Sequence, residues 1–337
     1  MDRMYDSPVI SPEHKNAARD IIARLPKVDL HRHLEGTDGV DPAGLQTPDA
    51  LTSAVTRAVV ALAEDNVVYV ELRLSPEFYT AGGLTLREVV DCAVSGIEAA
   101  RAQAPTMDAR LILTAMRGTG LLADVAELTV ATHGDVVVGF DVAGPEEEQD
   151  PLTGYAEAFA SLRKNYVPVT VHAGLHGGID AVADAVQVGA TRLSHATHMV
   201  DDFSVDIEGI VPGRVSAWVR DRHIVVESAP LLEVELGSAD ELGDHPLPLF
   251  QQLGFTCAVT TGNAAAGTMT DQFLALADTF GYGLEEFFEV TVAAVNNAFI
   301  SQEERERLLE TVILPAYEEL ADPEAGLVGD PDEEDES

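Results

Sequence analysis

The sequence predicts an α/β protein, a single (β/α)8 TIM-like barrel with an extra C-terminal helix and an acidic tail. Three observations point there. Eight short β-branched runs alternate with longer amphipathic stretches, the runs are apolar on both faces, and polar residues gather at their C-terminal ends. Strands apolar on both faces and separated by helices form a parallel sheet covered on each side. Eight such units in one chain favour a closed barrel over an open doubly wound sheet. In a closed barrel the loops after the strands build the site, so polar groups belong there.

The strands are read at "KVDLH" (27–31), "VVYVELRL" (67–74), "RLILTA" (110–115), "VVVGFDV" (136–142), "VPVTVHA" (167–173), "RLSHA" (192–196), "HIVVES" (223–228) and "FTCAVTT" (255–261). Helices between them include "LREVVDCAVSGIEAARAQ" (86–103) and "GIDAVADAVQVG" (178–189). The stretch "TDGVDPAGLQTPDALTS" (37–53), rich in Gly, Pro and Asp, reads as loop. "SQEERERLLETVILPAYEELA" (301–321) reads as a charged amphipathic helix packed on the outside. No repeat or linker interrupts residues 1–326, which are read as one domain. Residues 327–337 end in a like-charge run with no apolar anchor and read as a solvated, disordered tail.

Bulk composition narrows the function classes. Hydrophobic residues make up 46% of 337, enough for a large core. The formal net charge is −38, with lysine reduced to Lys15, Lys27 and Lys164. A surface of that sign repels nucleic acid and anionic membranes, so neither is expected as a partner. A halophilic or high-GC source is a sufficient reason for the acidity. No apolar run reaches membrane-spanning length, and "MDRMYDSPVISPEHK" is too polar for a signal peptide, so cytoplasmic residence is the expectation. Cys92 and Cys257 alone make neither a disulfide framework nor a cysteine zinc site.

The polar residues at strand ends are His31 and His33, Arg73, Arg117, Asp141, His172, His195, Glu227, and Thr261-Gly262-Asn263. A lone histidine in such a place is more often a satisfied side chain than a ligand; four on one face shift that balance. A spacing of two on an extended strand puts His31 and His33 on the same side. His172, ending the fifth strand, can reach the same ion from across the mouth. Three neutral imidazoles with an open position suit one zinc ion, which lowers the pKa of bound water to about 7. His195, ending the sixth strand, can orient or deprotonate that water.

The joint order of "PKVDLHRHLEG" (26–36), "NVVYVELRLSP" (66–76), "VVGFDVAGPE" (137–146), "VHAGLHGG" (171–178), "TRLSHATHM" (191–199), "VVESAP" (225–230), "HPLPLFQQLG" (245–254) and "VNNAF" (295–299) resembles the adenosine deaminase family of the metal-dependent amidohydrolases. The resemblance implies a (β/α) barrel, one zinc-like ion, a purine nucleoside or related small molecule as ligand, and hydrolytic replacement of the purine 6-amino group. It implies His31, His33 and His172 as metal ligands and His195 as the histidine that positions the attacking water. It further implies Gly144 as a backbone contact to the purine ring, Asn263 as a contact to a purine nitrogen, and Glu35 in place of an aspartate that contacts the ribose.

Three departures from the family pattern stand out. "HAGE" is "HAGL", so Leu175 replaces the glutamate that protonates the purine ring. "TDDP" is "TGNA" (261–264), so Gly262 replaces an aspartate metal ligand and Asn263 a second aspartate. The long helical cover after "HLEG" is shortened. Loss of a general acid costs roughly 10²–10⁴-fold in rate. The expectation is therefore an adenosine deaminase-like protein impaired or inactive in deamination. The alternatives are an active hydrolase of altered specificity and a non-catalytic scaffold. Leu175→Glu with Gly262→Asp is expected to raise metal occupancy and activity together.

Overall fold

The computed structural model describes residues 19–35, 41–146, 151–207 and 209–321; the acidic tail and the boundary placed at 326 lie outside them. Eight strands, β1 (Lys27–His33), β2 (Val67–Leu74), β3 (Asp108–Met116), β4 (Val137–Ala143), β5 (Val169–Ala173), β6 (Arg192–His195), β9 (Val225–Ser228) and β10 (Cys257–Val259), pair in parallel in that order. Closure comes from the segment just past β10. Gly262 donates to the His31 carbonyl at 2.8 Å and accepts from the His33 N–H at 2.8 Å, bridging back to β1. The barrel expected from the sequence is present, and each of the eight predicted runs overlaps one of its strands, with β1, β3 and β4 running past the predicted ends. One further element was not announced by the pattern: an antiparallel hairpin of β7 (Phe203–Asp206) and β8 (Gly209–Pro212) between β6 and β9.

The strands are not apolar on both faces. Tyr69, Glu71 and Arg73 of β2 are fully buried and alternate with Val70, Leu72 and Leu74, so one face of β2 is charged. Arg73 reaches Ser194 of β6 at 2.7 Å and pairs with Glu227 of β9; Arg192 of β6 pairs with Glu71 of β2 and lies 2.7 Å from Glu227. Partners on strands that are not neighbours can meet only across the lumen. The barrel is filled by charge, with the helices covering the apolar outer face.

Helix α1 (Pro48–Glu64) overturns part of the loop reading of 37–53. Thr47 caps it by accepting from the Ala50 N–H at 3.4 Å, and Pro48 occupies the first turn, where a missing N–H removes nothing. Its buried Leu51, Ala54, Val55, Val59 and Leu62 form a helical stripe against the barrel. The proline there is a start signal rather than a breaker.

The outer helices α2 (Leu86–Gln103), α3 (Leu122–Thr132), α4 (Ala156–Lys164), α5 (Gly178–Val188), α6 (Arg214–Asp221), α7 (Pro230–Glu235), α8 (Leu247–Gln252), α9 (Met269–Phe280) and α10 (Leu284–Asn296) follow. The C-terminal segment runs as α11 (Gln302–Leu308), a π-helical turn over Leu309–Ile313, and α12 (Leu314–Ala321). Pro315 explains the widening, since its ring cannot donate to Thr311 and crowds that carbonyl. No helix among the described residues is long and apolar enough to cross a membrane.

Candidate metal and active site

Strands β1, β5 and β6 end at the same rim and bring four imidazoles together. His172 Nε2 lies 3.0 Å from His31 Nε2 and 3.1 Å from His33 Nε2. The His195 ring sits 5.1 Å from that of His31 and 5.3 Å from that of His172, centroid to centroid. Ring nitrogens of His31, His172 and His195 all fall within 4.8 Å of one another, and His33, Asp141 and His172 form a second such set. Two imidazole nitrogens 3 Å apart cannot both point a proton at each other, so at least one of each close pair presents a lone pair. Burial holds His31 well below the ordinary histidine range, reinforced by Arg73. Burial likewise pushes His172 down to about 4, against the pull of Asp141. Both rings are therefore neutral near pH 7, with lone pairs to give. Such a donor set fits zinc.

The rings are oriented by buried carboxylates, as metal-ligating histidines usually are. His172 Nδ1 donates to Asp141 Oδ1 at 3.2 Å. Asp141 also accepts from Thr114 Oγ1 at 3.0 Å and pairs with Arg73 at 3.3 Å. Burial opposes its charge, yet His172 and Arg73 beside it hold the carboxyl far below the usual range. His31 Nδ1 sits 4.0 Å from Glu227, without a hydrogen bond. His195 Nδ1 donates to Glu233 Oε1 at 2.9 Å, and Glu233 also takes the Ala229 N–H at 2.7 Å, Ser228 Oγ at 3.1 Å and His245 Nε2. Burial again opposes the charge, but these donors bring Glu233 down to about 2. Glu233 and His245 escaped the sequence reading because a helix after β9 is the ordinary meaning of that acidic segment.

The departures at the ends of β5 and β10 have physical consequences. Leu175 is buried, and among the described residues the acid hydrogen-bonded to its loop is Glu146. That carboxylate accepts the backbone N–H groups of Gly174, Leu175 and Gly177 at 2.9, 3.1 and 2.7 Å. Despite burial, those three donors hold Glu146 below its ordinary value, in the charged form. His176 points to solvent. At the end of β10, Gly262 adopts φ +69°, and the space where its side chain would start is taken by Leu232 of α7. Asn263 Oδ1 is committed to its own turn, accepting from Ala265 and Ala266 at 3.0 and 3.3 Å.

Glu35 lies beside the histidines, its Oε2 3.7 Å from His33 Nδ1 and lacking a hydrogen bond. Its Oε1 accepts from the Ser75 N–H at 2.8 Å and Tyr79 Oη at 3.0 Å. Gly144, at φ +98°, follows β4 at the same rim, and its carbonyl lies 3.5 Å from Arg117 Nη1.

Comparison with known proteins gives this geometry a context. The chain is 35% identical over 281 residues to an adenosine deaminase of Mycolicibacterium vanbaalenii, covering 81% of this chain and 77% of that protein. It is 36% identical over 297 residues to an adenosine deaminase of Mycobacterium ulcerans, covering 86% and 81%. Among solved structures, an amidohydrolase from Burkholderia ambifaria with bound Zn superposes at TM-score 0.75 with 20% identity, covering 96% of this chain and 97% of that one. An adenine deaminase from Arthrobacter aurescens superposes at 0.72 with 19% identity, covering 88% and 98%. These structures share the fold. The adenosine deaminase family model matches residues 27–315, and the chain belongs to the adenosine deaminase family.

Proposed function

We propose that the chain is a zinc-binding member of this family in which purine 6-deamination is severely impaired. The observation that carries the reading is the state of the loop after β5. Leu175 offers no proton, and Glu146 is ionised and saturated by three backbone N–H groups. Among the described residues, neither Leu175 nor Glu146 holds a proton ready for the purine ring.

The other half of the chemistry is supported. His31, His33 and His172 would hold the ion, which when bound lowers the pKa of its water to about 7. Asp141 keeps the proton of His172 on Nδ1, so that Nε2 faces the cluster. Glu233 fixes the tautomer of His195 in the same way, leaving its Nε2 as an acceptor at the rim. Glu35 supplies a carboxylate oxygen that makes no hydrogen bond and is open to a ligand hydroxyl. The test is metal content measured beside adenosine turnover. Stoichiometric zinc with a kcat at least about 100-fold below the common enzyme value of ~10 s⁻¹ is expected; turnover in the ordinary range overturns the reading.

A second reading, an active hydrolase of another amine or amide, is favoured by Glu77. Its Oε1 accepts the Met116 N–H at 2.8 Å, while its Oε2 is buried without a hydrogen bond, as is Glu35 Oε2. Burial, and then the Glu35 charge, raise its carboxyl above the ordinary value. Two such oxygens on the loops after β1 and β2 suit a ligand rich in hydroxyl or amine groups. Ammonia release from a panel of nucleosides, bases and amides, with and without chelator, decides; silence on all of them removes this reading.

A further inference from the structure

We propose that the ion is held by four imidazoles, with His195 in the fourth ligand position rather than beside the water. The proposal rests on the zinc-binding reading above and concerns which side chains complete that site.

Three observations meet here. The first is which donors lie together. His195 shares a set of mutually close ring nitrogens with His31 and His172, and His33 belongs to a second set that meets the first at His172, whose Nε2 lies 3.1 Å from His33 Nε2. Its Nδ1 is taken by Glu233, so the nitrogen with a free lone pair is Nε2. The second is that no carboxylate can enter from β10. Gly262 has no side chain and Leu232 fills the space where one would begin. Asp141, the acid in the other close set, is already engaged by His172, Thr114 and Arg73. The third is the backbone. His195 and the following Ala196 both lie in the left-handed region, at φ +73° and +53°. Such backbone is strained for a residue with a Cβ, and the turn keeps a buried ring at the rim of β6, which an ordinary strand end does not require.

A fourth neutral ligand in place of an anionic one has a chemical consequence. The lone pair of His195 is then used on the ion and is not available to the water, which adds to the impairment attributed to Leu175. Glu233 returns the missing negative charge one shell further out, through the imidazole.

The test uses the full chain loaded with Zn²⁺ or Co²⁺. X-ray absorption at the zinc edge is expected to show four imidazoles in the native protein and three in His195→Gln. Competition with a chelator is expected to show zinc affinity lowered at least about tenfold in that variant. Glu233→Gln, which keeps an acceptor for Nδ1, is expected to retain four imidazoles with a smaller loss of affinity. Thermal melts of the metal-free proteins check folding, and the Co²⁺ spectrum of Glu233→Gln provides the readout if His195→Gln fails to fold. Three imidazoles in the native protein, or an affinity unchanged by His195→Gln, overturn this assignment and leave the zinc-binding reading standing. No zinc bound by the native chain overturns both.

Discussion

Leu232 and Gly262 share one volume: the Cδ2 of Leu232 sits where a side chain on Gly262 would begin. The loss of a carboxylate at the end of β10 is thus accommodated from α7, and the vacated space is packed. Two consequences follow for Gly262→Asp. Its backbone at φ +69° strains any residue with a Cβ, and the added atoms overpack Leu232, an effect of about 1–3 kcal/mol. The single change is expected to lower thermal stability and leave zinc affinity unimproved. Gly262→Asp with Leu232→Ala is expected to recover much of that stability and tighten zinc binding. Melting curves and chelator competition on both variants check this; a stable single variant with tighter zinc binding contradicts it.

Leu175→Glu addresses the missing proton donor. The new carboxyl would be buried beside Glu146, and both burial and like charge favour its protonated form. A protonated acid is what ring protonation needs. Adenosine deamination by the zinc-loaded variant is expected to exceed that of the native chain by at least about tenfold, within the 10²–10⁴ span of a restored general acid. Combined with the Gly262→Asp and Leu232→Ala pair, the gain is expected to be larger. Initial rates at fixed zinc decide it, and a rate equal to the native one counts against the role given to position 175.

The barrel was legible because periodicity is local. The run 67–74 reads as a strand from eight consecutive residues and is one. The lining was not legible for the same reason. Glu71 and Arg192 are 121 residues apart with three whole strands between them, and nothing near either announces the other. Spacing placed His31 and His33 together, and strand-end positions put His172 and His195 at their rim. The support of His195 by Glu233, and the filling of the Gly262 site by Leu232, are contacts between α7 and other strands' ends. Restoring two side chains by motif alone leaves the third, Leu232, in the way. The start of α1 was lost to a simpler cause, since Thr47-Pro48 signals a capped helix as well as a turn.

Arg73 is the tie between the two carboxylates under the histidines. It pairs with Glu227 and Asp141 and donates to Ser194 Oγ at 2.7 Å and the Leu30 carbonyl at 3.2 Å, all without solvent. Arg73→Met leaves both acids buried with less compensation, and breaking such a pair costs about 3–5 kcal/mol. Urea unfolding is expected to show a loss of that order, with Arg73→Lys intermediate because ammonium cannot serve all four acceptors. A loss below about 1 kcal/mol for Arg73→Met contradicts the assignment.

The metal-free protein is expected to lose stability in mild acid, and the window follows from two groups. His172 titrates near 4 in the fold against 6.5 ordinarily. Between those values the unfolded chain takes up a proton that the folded one refuses, so stability falls as pH drops from 6.5 to 4. At 1.36 kcal/mol per unit the loss from this ring alone is roughly 3 kcal/mol. His31, shifted the same way, adds to it. Glu233, at about 2 against 4.5, extends the fall below pH 4.5, because its paired anion must be neutralised. Melting temperatures measured with chelator from pH 7.5 to 4.5 should therefore decline across the upper window. His172→Asn should flatten the decline. With zinc present the high-pH plateau should rise and the fall steepen, since protons and metal compete for the same lone pairs. A chelated protein whose melting temperature holds between pH 6.5 and 4.5 contradicts the neutral-imidazole description of the site.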